Sequence, residues 1–257
     1  MVVGYDSSMP LYREQGIVLG AFKLGEADKI LTILTQGSGK VRAVAKGLRR
    51  TKSRFGARLE PFTHVDLQLY RGRNLDTVTQ AEIIDVFPGV RGDFGLFAAG
   101  EAMLEVADKV AEEHERNVRL FLLLLKGLRA LELGPGDPAA VSESFIVKLL
   151  QLSGFGPILG ACAVCSRTEV TRFSHAQGGA VCDDCRDRDA RRAAPGALAW
   201  LAWLATEDLD SAGSGPPPNG VRGEARALLY GFAEYHLERR LRSLPLLARI
   251  EAHAAPR

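Results

Sequence analysis

The amino-acid sequence predicts an α+β protein: an N-terminal β-barrel, then an α-helical domain that carries a compact four-cysteine insert. Three observations lead there. Apolar residues alternate with polar ones in short runs from Gly16 to about Phe87, they recur at helical spacing after Pro88, and all four cysteines fall within residues 162–185. At 257 residues, 46% apolar and 25% charged, the chain can bury a substantial core and is long enough for two or three modest units.

The barrel follows from the strands. Gly, Ser and charged turns divide the first part into runs near Gly16–Phe22, Lys29–Gln36, Lys40–Lys46, Thr63–Arg71 and Asp76–Val86. In the fourth run Val65, Leu67 and Leu69 should face a core, while His64, Asp66, Gln68 and Tyr70 face outward, as in a sheet wetted on one side. Five short strands in about 75 residues suit a small barrel such as the OB-fold.

After Pro88, Phe94, Phe97, Ala98, Met103, Leu104, Ala107 and Val110 recur at the spacing of one helix face. Further helices are expected over Asn117–Leu133, closed by Gly134-Pro135, over Val141–Leu152, closed by Gly154, and over Pro195–Thr206 and Val221–Leu244. Ser211–Gly220 (SAGSGPPPNG) is a loop by composition. The expected organisation is a barrel domain over 1–87, a helical domain over 88–160 and 195–257, and an inserted cysteine unit over 161–194.

Cys162, Cys165, Cys182 and Cys185 form a C-x2-C-x16-C-x2-C array, the spacing of two knuckles that close a tetrahedral sulfur site. A structural zinc ion, one per chain, fits best. Its binding free energy would fold a segment too short and polar to bury a core of its own. His175 and the Asp183-Asp184 pair lie nearby, but four thiolates already complete a closed site. An iron–sulfur cluster suits the regular knuckles less well, and neither C-x-x-C follows a strand and opens a helix as redox motifs do. The insert is therefore read as a zinc finger.

Charge is distributed unevenly. Residues 1–80 hold 13 basic and 7 acidic side chains, a net of +6, against −5 over 81–160, +1 over 161–194 and 0 over 195–257. No acid occurs between Asp28 and Glu60, yet Lys40, Arg42, Lys46, Arg49, Arg50, Lys52, Arg54 and Arg58 all lie there. Lys40, Arg42 and Lys46 alternate along one strand and so share a face, and Gly47–Pro61 is expected to be a long, mobile loop able to wrap phosphate. Arg71 and Arg73, in a Tyr-Arg-Gly-Arg turn, would extend the patch. A solvated charged surface is the alternative reading, which the one-sidedness of the charges disfavours. Of the aromatics near these cations, Phe62 immediately precedes a strand and is expected in the core, Tyr70 lies on the outer face of that strand, and Phe55, in the loop, is the better candidate for stacking on bases.

Several classes are excluded. Gly37-Ser38-Gly39-Lys40 resembles a phosphate loop, but Leu34 replaces its first glycine and Val41 its metal-binding Ser or Thr, so it is read as a hairpin turn. Gly154, Gly156 and Gly160 end a helix instead of following a strand, and are not a dinucleotide fingerprint. No nucleophile elbow, zinc-protease motif or paired-carboxylate constellation supports catalysis. The longest aliphatic run, Leu120–Leu125, falls far short of a membrane span, and Met1–Pro10 does not read as a secretory leader, so the expected address is the cytoplasm.

These residues also resemble a known family, the RecO bacterial recombination mediators. The resemblance runs through Gly25-Glu26-Ala27-Asp28-Lys29-Ile30-Leu31-Thr32 to Thr35, Gly39-Lys40 and Ala45-Lys46-Gly47, with Arg49-Arg50 and Ser53-Arg54. Leu59-Glu60-Pro61-Phe62, Tyr70–Arg73, the four cysteines and the closing Leu237–Leu244 stretch (LERRLRSL) continue it in order over nearly the whole chain. The resemblance implies an OB-fold, a helical domain with a zinc finger, and non-enzymatic binding and annealing of single- and double-stranded DNA at the nucleoid. It also implies as partners RecR and the acidic C-terminal tail of single-strand-binding protein, with RecF as an optional third, in recombinase loading during DNA repair. The DNA-binding role is carried over onto Lys40, Arg42, Lys46, Arg49, Arg50 and Arg54. Lys109, Arg116, Arg119 and Arg129, beside apolar helix stripes, are candidates for the tail pocket or simply solvated positions. An adaptor for structured RNA or for proteins is the alternative from another class.

Overall fold

The structure, a computed structural model, describes residues 11–49, 53, 55–134, 136–215 and 220–244. The chain forms two compact units, one of Met1–Phe87 with Ala111–Leu125, the other of Pro88–Val110 with Lys126–Arg257.

The first unit is a closed five-stranded, OB-like barrel. Its strands β1 (Leu11–Leu24), β2 (Asp28–Thr35), β3 (Gly39–Ala45), β4 (His64–Tyr70) and β5 (Asp76–Asp85) close in the order β1-β2-β3-β5-β4. Closure depends on β1, which is longer than expected. Its first half pairs antiparallel with β4 from Leu11↔Tyr70 to Ile17↔His64, and its second half pairs with β2 from Gly16↔Thr35 to Leu24↔Asp28. The two pairings overlap at Gly16 and Ile17, and just beyond, between Val18 and Gly20, a register shift interrupts the pairing with β2. Parallel pairing of β3 with β5, at Ala43↔Asp76 and Val44↔Thr77, shuts the ring. Val18, Leu31, Ile33, Val41, Leu67 and Val78 fill it, as the alternation requires.

Two expectations about this unit are corrected. His64 does not face water: only 3% of it is exposed, because Phe121 lies edge-on to its ring at 5.7 Å, on the segment that returns to this unit after residue 110. The described part of Gly47–Pro61 is anchored. Leu48, Phe55 and Leu59 are buried in the barrel core, a 3-10 turn spans Gly56–Leu59, and Gly47 and Arg49 donate backbone hydrogen bonds to Asp28 Oδ1 (2.7 Å) and the Ala27 carbonyl (2.9 Å).

The Gly37–Lys40 segment is the hairpin turn between β2 and β3. Thr35 Oγ1 donates to the Gly39 carbonyl (2.8 Å), and Ser38 Oγ donates to Glu14 (2.5 Å). Gly39 has φ +68, and a Cβ there would lie 2.0 Å from the Glu115 carbonyl oxygen, so this turn requires glycine.

The second unit is helical: α1 (Pro88–Gly92), α2 (Phe94–Val110), the part of α3 (Val118–Glu132) from Lys126 onward, α4 (Pro138–Leu152), α5 (Pro195–Thr206), α6 (Leu209–Ala212) and α7 (Arg222–Leu237). Asp137 caps α4 through Ala139 N and Ala140 N, with Pro138 at the first turn, so this helix starts earlier than the apolar spacing alone implies. α4 is buried nearly all round and includes Glu143, which meets Arg226 of α7 at 2.7 Å. The last helix does not continue to Leu244. It stops at Leu237, where Glu238 turns left-handed at φ 50. Among the described residues, no helix is long and apolar enough to cross a membrane.

Candidate nucleic-acid interface and metal centre

The candidate metal centre is built from two turns and a small sheet. Strands β6 (Arg172–Ser174), β7 (Gly179–Val181) and β8 (Arg191–Arg192) pair in the order β7-β6-β8, and Phe173 packs on Phe232 of α7 with ring centroids 5.6 Å apart. This core is minimal. Cys182 leaves the end of β7, and its N–H points at Cys162 Sγ (3.4 Å), while the Ala163 N–H bonds the Ala180 carbonyl (2.8 Å), so the two knuckles are pinned face to face.

All four Sγ atoms lie within 4.8 Å of one another, and Cys165 and Cys182 are 3.8 Å apart. A disulfide needs about 2.05 Å. Ligands about 2.3 Å from a tetrahedral zinc ion would stand ~3.8 Å apart. The four cysteines that the spacing singled out could thus hold a metal ion. Burial pushes the Cys162 thiol up, but backbone N–H donors, Cys182 first among them, outweigh it and hold the thiol below its ordinary value. Cys185 is pushed well above its usual value by its hydrogen bond to Cys182, then by Cys165 and burial. Thiolates this crowded can all ionise only around a cation. Asp183, considered earlier as a ligand, turns away to Arg172 Nε (2.6 Å) and Thr171 Oγ1 (3.1 Å), which lower its pKa, and Asp184 pairs with Arg167 (2.6 Å). His175 is engaged elsewhere, edge-on to Phe173 and Phe232 and tilted against Tyr235.

On the barrel, β3 places its cations as the alternation predicts. Val41, Ala43 and Ala45 point inward, Arg42 is exposed on the outer face, Lys46 is exposed just beyond the strand end, and Lys40 is half-buried. Lys40 is fixed through its backbone, which bonds the Glu112 carbonyl (3.2 Å) and the His114 N–H (3.0 Å). Arg49 is exposed, and its guanidinium donates to the Gly25 carbonyl (2.9 Å), fastening the β1–β2 hairpin. Arg58 and Arg73 are exposed, and Arg71 lies over the Tyr12 ring at 5.1 Å. Arg50, Lys52 and Arg54 lie outside the described residues. The two acids that bound the stretch are occupied: Asp28 accepts from Gly47, and Glu60 pairs with Lys29 at 3.0 Å.

Phe55 is the clearest correction. It is 2% exposed, plugging the barrel beside Leu48 and Leu59, and cannot stack on a base. Phe62 is core, as its position before a strand implies. The exposed aromatic residue that sequence reasoning missed is Phe22 near the end of β1, 64% exposed. Only the register shift inside β1, which the apolar pattern does not announce, turns it outward. Of the cations expected on the helical domain, Lys109 pairs with its neighbour Asp108 (3.5 Å), whereas Arg116 lies outside any helix, in the segment of the barrel unit before α3, and borders a shallow depression that also holds Arg13, Glu14 and Asp66. That mixture of signs is no obvious anion pocket.

A closed OB-like barrel with a cationic outer strand, followed by a helical region with four cysteines clustered within metal-binding distance, defines a protein class. Family models narrow it: the description "Recombination protein O N terminal" matches residues 9–87, and "Recombination protein O C terminal" matches 91–245. The chain is 45% identical over 247 residues to the DNA repair protein RecO of Nocardioides sp., covering 93% of this chain and all of the relative. It is 43% identical over 241 residues to that of Bifidobacterium longum (93% and 99% covered) and 44% identical over 244 residues to that of Frankia casuarinae (94% and 100%). The chain belongs to the RecO family of DNA repair and recombination proteins.

Proposed function

We propose that this RecO-family chain is a non-enzymatic mediator that binds DNA through its barrel and anneals complementary strands. In this reading it acts in the cytoplasm at the nucleoid, with single-strand-binding protein, RecR and, where present, RecF, to load recombinase. The observation that carries the proposal is the outer face of β3. Arg42 and Lys46 stand exposed there, and Asp28 and Glu60, the acids that bound this part of the sequence, are engaged with Gly47 and Lys29.

Such a surface suits phosphate. Lys40, Arg42, Lys46 and Arg49, with Arg58, Arg71 and Arg73 and the flanking Arg50, Lys52 and Arg54, would release counterions on binding, which drives association without regard to sequence. Neutralising phosphates on two strands lowers their mutual repulsion, so annealing needs no nucleotide. The four cysteines hold one structural zinc ion in this reading, which staples the insert onto the helical unit and takes no chemical step.

Pairing of two complementary oligonucleotides, followed by loss of fluorescence from a dye on one strand, tests the proposal. Substoichiometric to stoichiometric protein should accelerate pairing equally with and without ATP. No acceleration, or acceleration for RNA strands alone, would replace this reading with that of an RNA or protein adaptor.

A further inference from the structure

The outer face of the barrel is not uniformly charged. Across β1, β2 and β3 the pairs Phe22↔Ile30 and Ile30↔Val44 put three apolar side chains in one row. The adjacent row is Gly20, Thr32 and Arg42. Arg42 precedes Val44 by two residues and Lys46 follows it by two, so each cation lies about 7 Å along the strand from the row's inner end. Ile30 and Val44 are half-buried, but Phe22 is 64% exposed.

Folding does little to hide this ring. The register shift between Val18 and Gly20 turns Phe22 out of the barrel, and the ring leans toward Gly20, with Cε2 3.5 Å from where a Cβ would stand. An exposed phenyl group on a sheet contributes little core energy. Beside a cationic strand it offers an unpaired base a flat apolar surface.

We propose that Phe22, with Ile30 and Val44 behind it, is a stacking platform for an unpaired base of a single DNA strand whose phosphates run along Arg42 and Lys46. Two strand spacings across the sheet, about 10 Å, and about 7 Å along it put Phe22 roughly 12 Å from the backbone of the β3 cations, a span that their long side chains and the reach from a phosphate through its sugar to the base can bridge. Duplex DNA keeps its bases stacked on one another, so it meets the cations without the ring. The inference rests on the DNA-binding reading above and adds to it a discrimination between single strands and duplex.

The test is fluorescence anisotropy with a labelled oligo-dT strand and a labelled hairpin duplex, on parent protein, Phe22→Ala, Phe22→Trp and Phe94→Ala. Phe94 is an exposed aromatic of the helical unit and serves as the control. Phe22→Ala should weaken single-strand binding about tenfold, the scale of one lost base stack, with duplex affinity and the slope of affinity against salt unchanged. Phe22→Trp should restore single-strand affinity and gain an indole emission that saturating oligo-dT quenches. Phe94→Ala should match the parent. A Phe22→Ala protein within twofold of the parent on single strands, or equally weakened on duplex, would overturn the platform. If Arg42→Ala with Lys46→Ala weakens binding while Phe22→Ala does not, the platform alone falls; a parent that binds neither DNA removes both readings.

Discussion

Replacing Arg42 and Lys46 together by alanine isolates the phosphate contribution of the barrel. Both side chains are exposed at the β3 face, and removing them opens no cavity, so stability should move by no more than about 0.5 kcal/mol. Each phosphate neutralised on a single strand adds about 0.7 to the slope of log affinity against log salt. Losing two should flatten the slope by about 1.4. Over a fourfold rise in salt, roughly 50 to 200 mM, the parent's advantage over the variant should then shrink about sevenfold. This pair is cleaner than one containing Arg49, whose guanidinium also holds the Gly25 carbonyl. Anisotropy titrations at four salt concentrations measure the slopes, on two unrelated DNA sequences that should respond alike. Arg186→Ala with Arg188→Ala, exposed on the cysteine unit, is the matched control. An unchanged slope for the β3 pair, or an equal loss in the control, would refute the placement of DNA on the barrel.

Three further expectations follow from the same geometry. Elemental analysis should find about one zinc per chain, and Cys182→Ser should retain less than half of it and melt earlier while DNA affinity changes much less; unchanged metal content would remove the site. Phe55→Ala should cost about 3–5 kcal/mol in denaturant unfolding, because a buried ring leaves a cavity; a stable protein with weaker DNA binding would instead mark Phe55 as a surface contact. Lys148 donates to the Leu204 carbonyl (2.6 Å), and burial lowers its pKa to about 8. The unfolded chain, with an ordinary lysine near ~10.4, then holds the extra proton between these values, so stability should rise with pH across that window. Lys148→Met should flatten the rise in melting temperature, and an identical pH profile in the variant would contradict it.

How far the sequence foretold this arrangement depends on how local each determinant is. Strands β2 to β5 were legible because one face of each is buried against a single barrel core, which writes strict alternation into Leu31 and Ile33, Val41 and Ala43, or Leu67 and Leu69. The clustering of the four cysteines was legible because their spacing alone encodes two knuckles. What failed to show was non-local. Arg13, Glu14 and Gln15 hide the first half of β1, which exists because β4 pairs with it. His64 reads as an outward residue until Phe121, more than fifty residues later, covers it. Phe55 reads as a loop aromatic because nothing nearby reveals that the loop folds back into the barrel end. The strands of the cysteine unit, two or three residues each, are too short to carry a period.

The central claim, that this chain brings complementary DNA strands together, is tested most directly by annealing on strands precoated with single-strand-binding protein, without nucleotide. The parent should restore rapid pairing, Arg42→Ala with Lys46→Ala should slow it several-fold, and removing the acidic C-terminal tail from the coating protein should impair it as well. If coated strands pair no faster with the protein than without it, while naked strands are equally unaffected, the chain is not an annealing mediator.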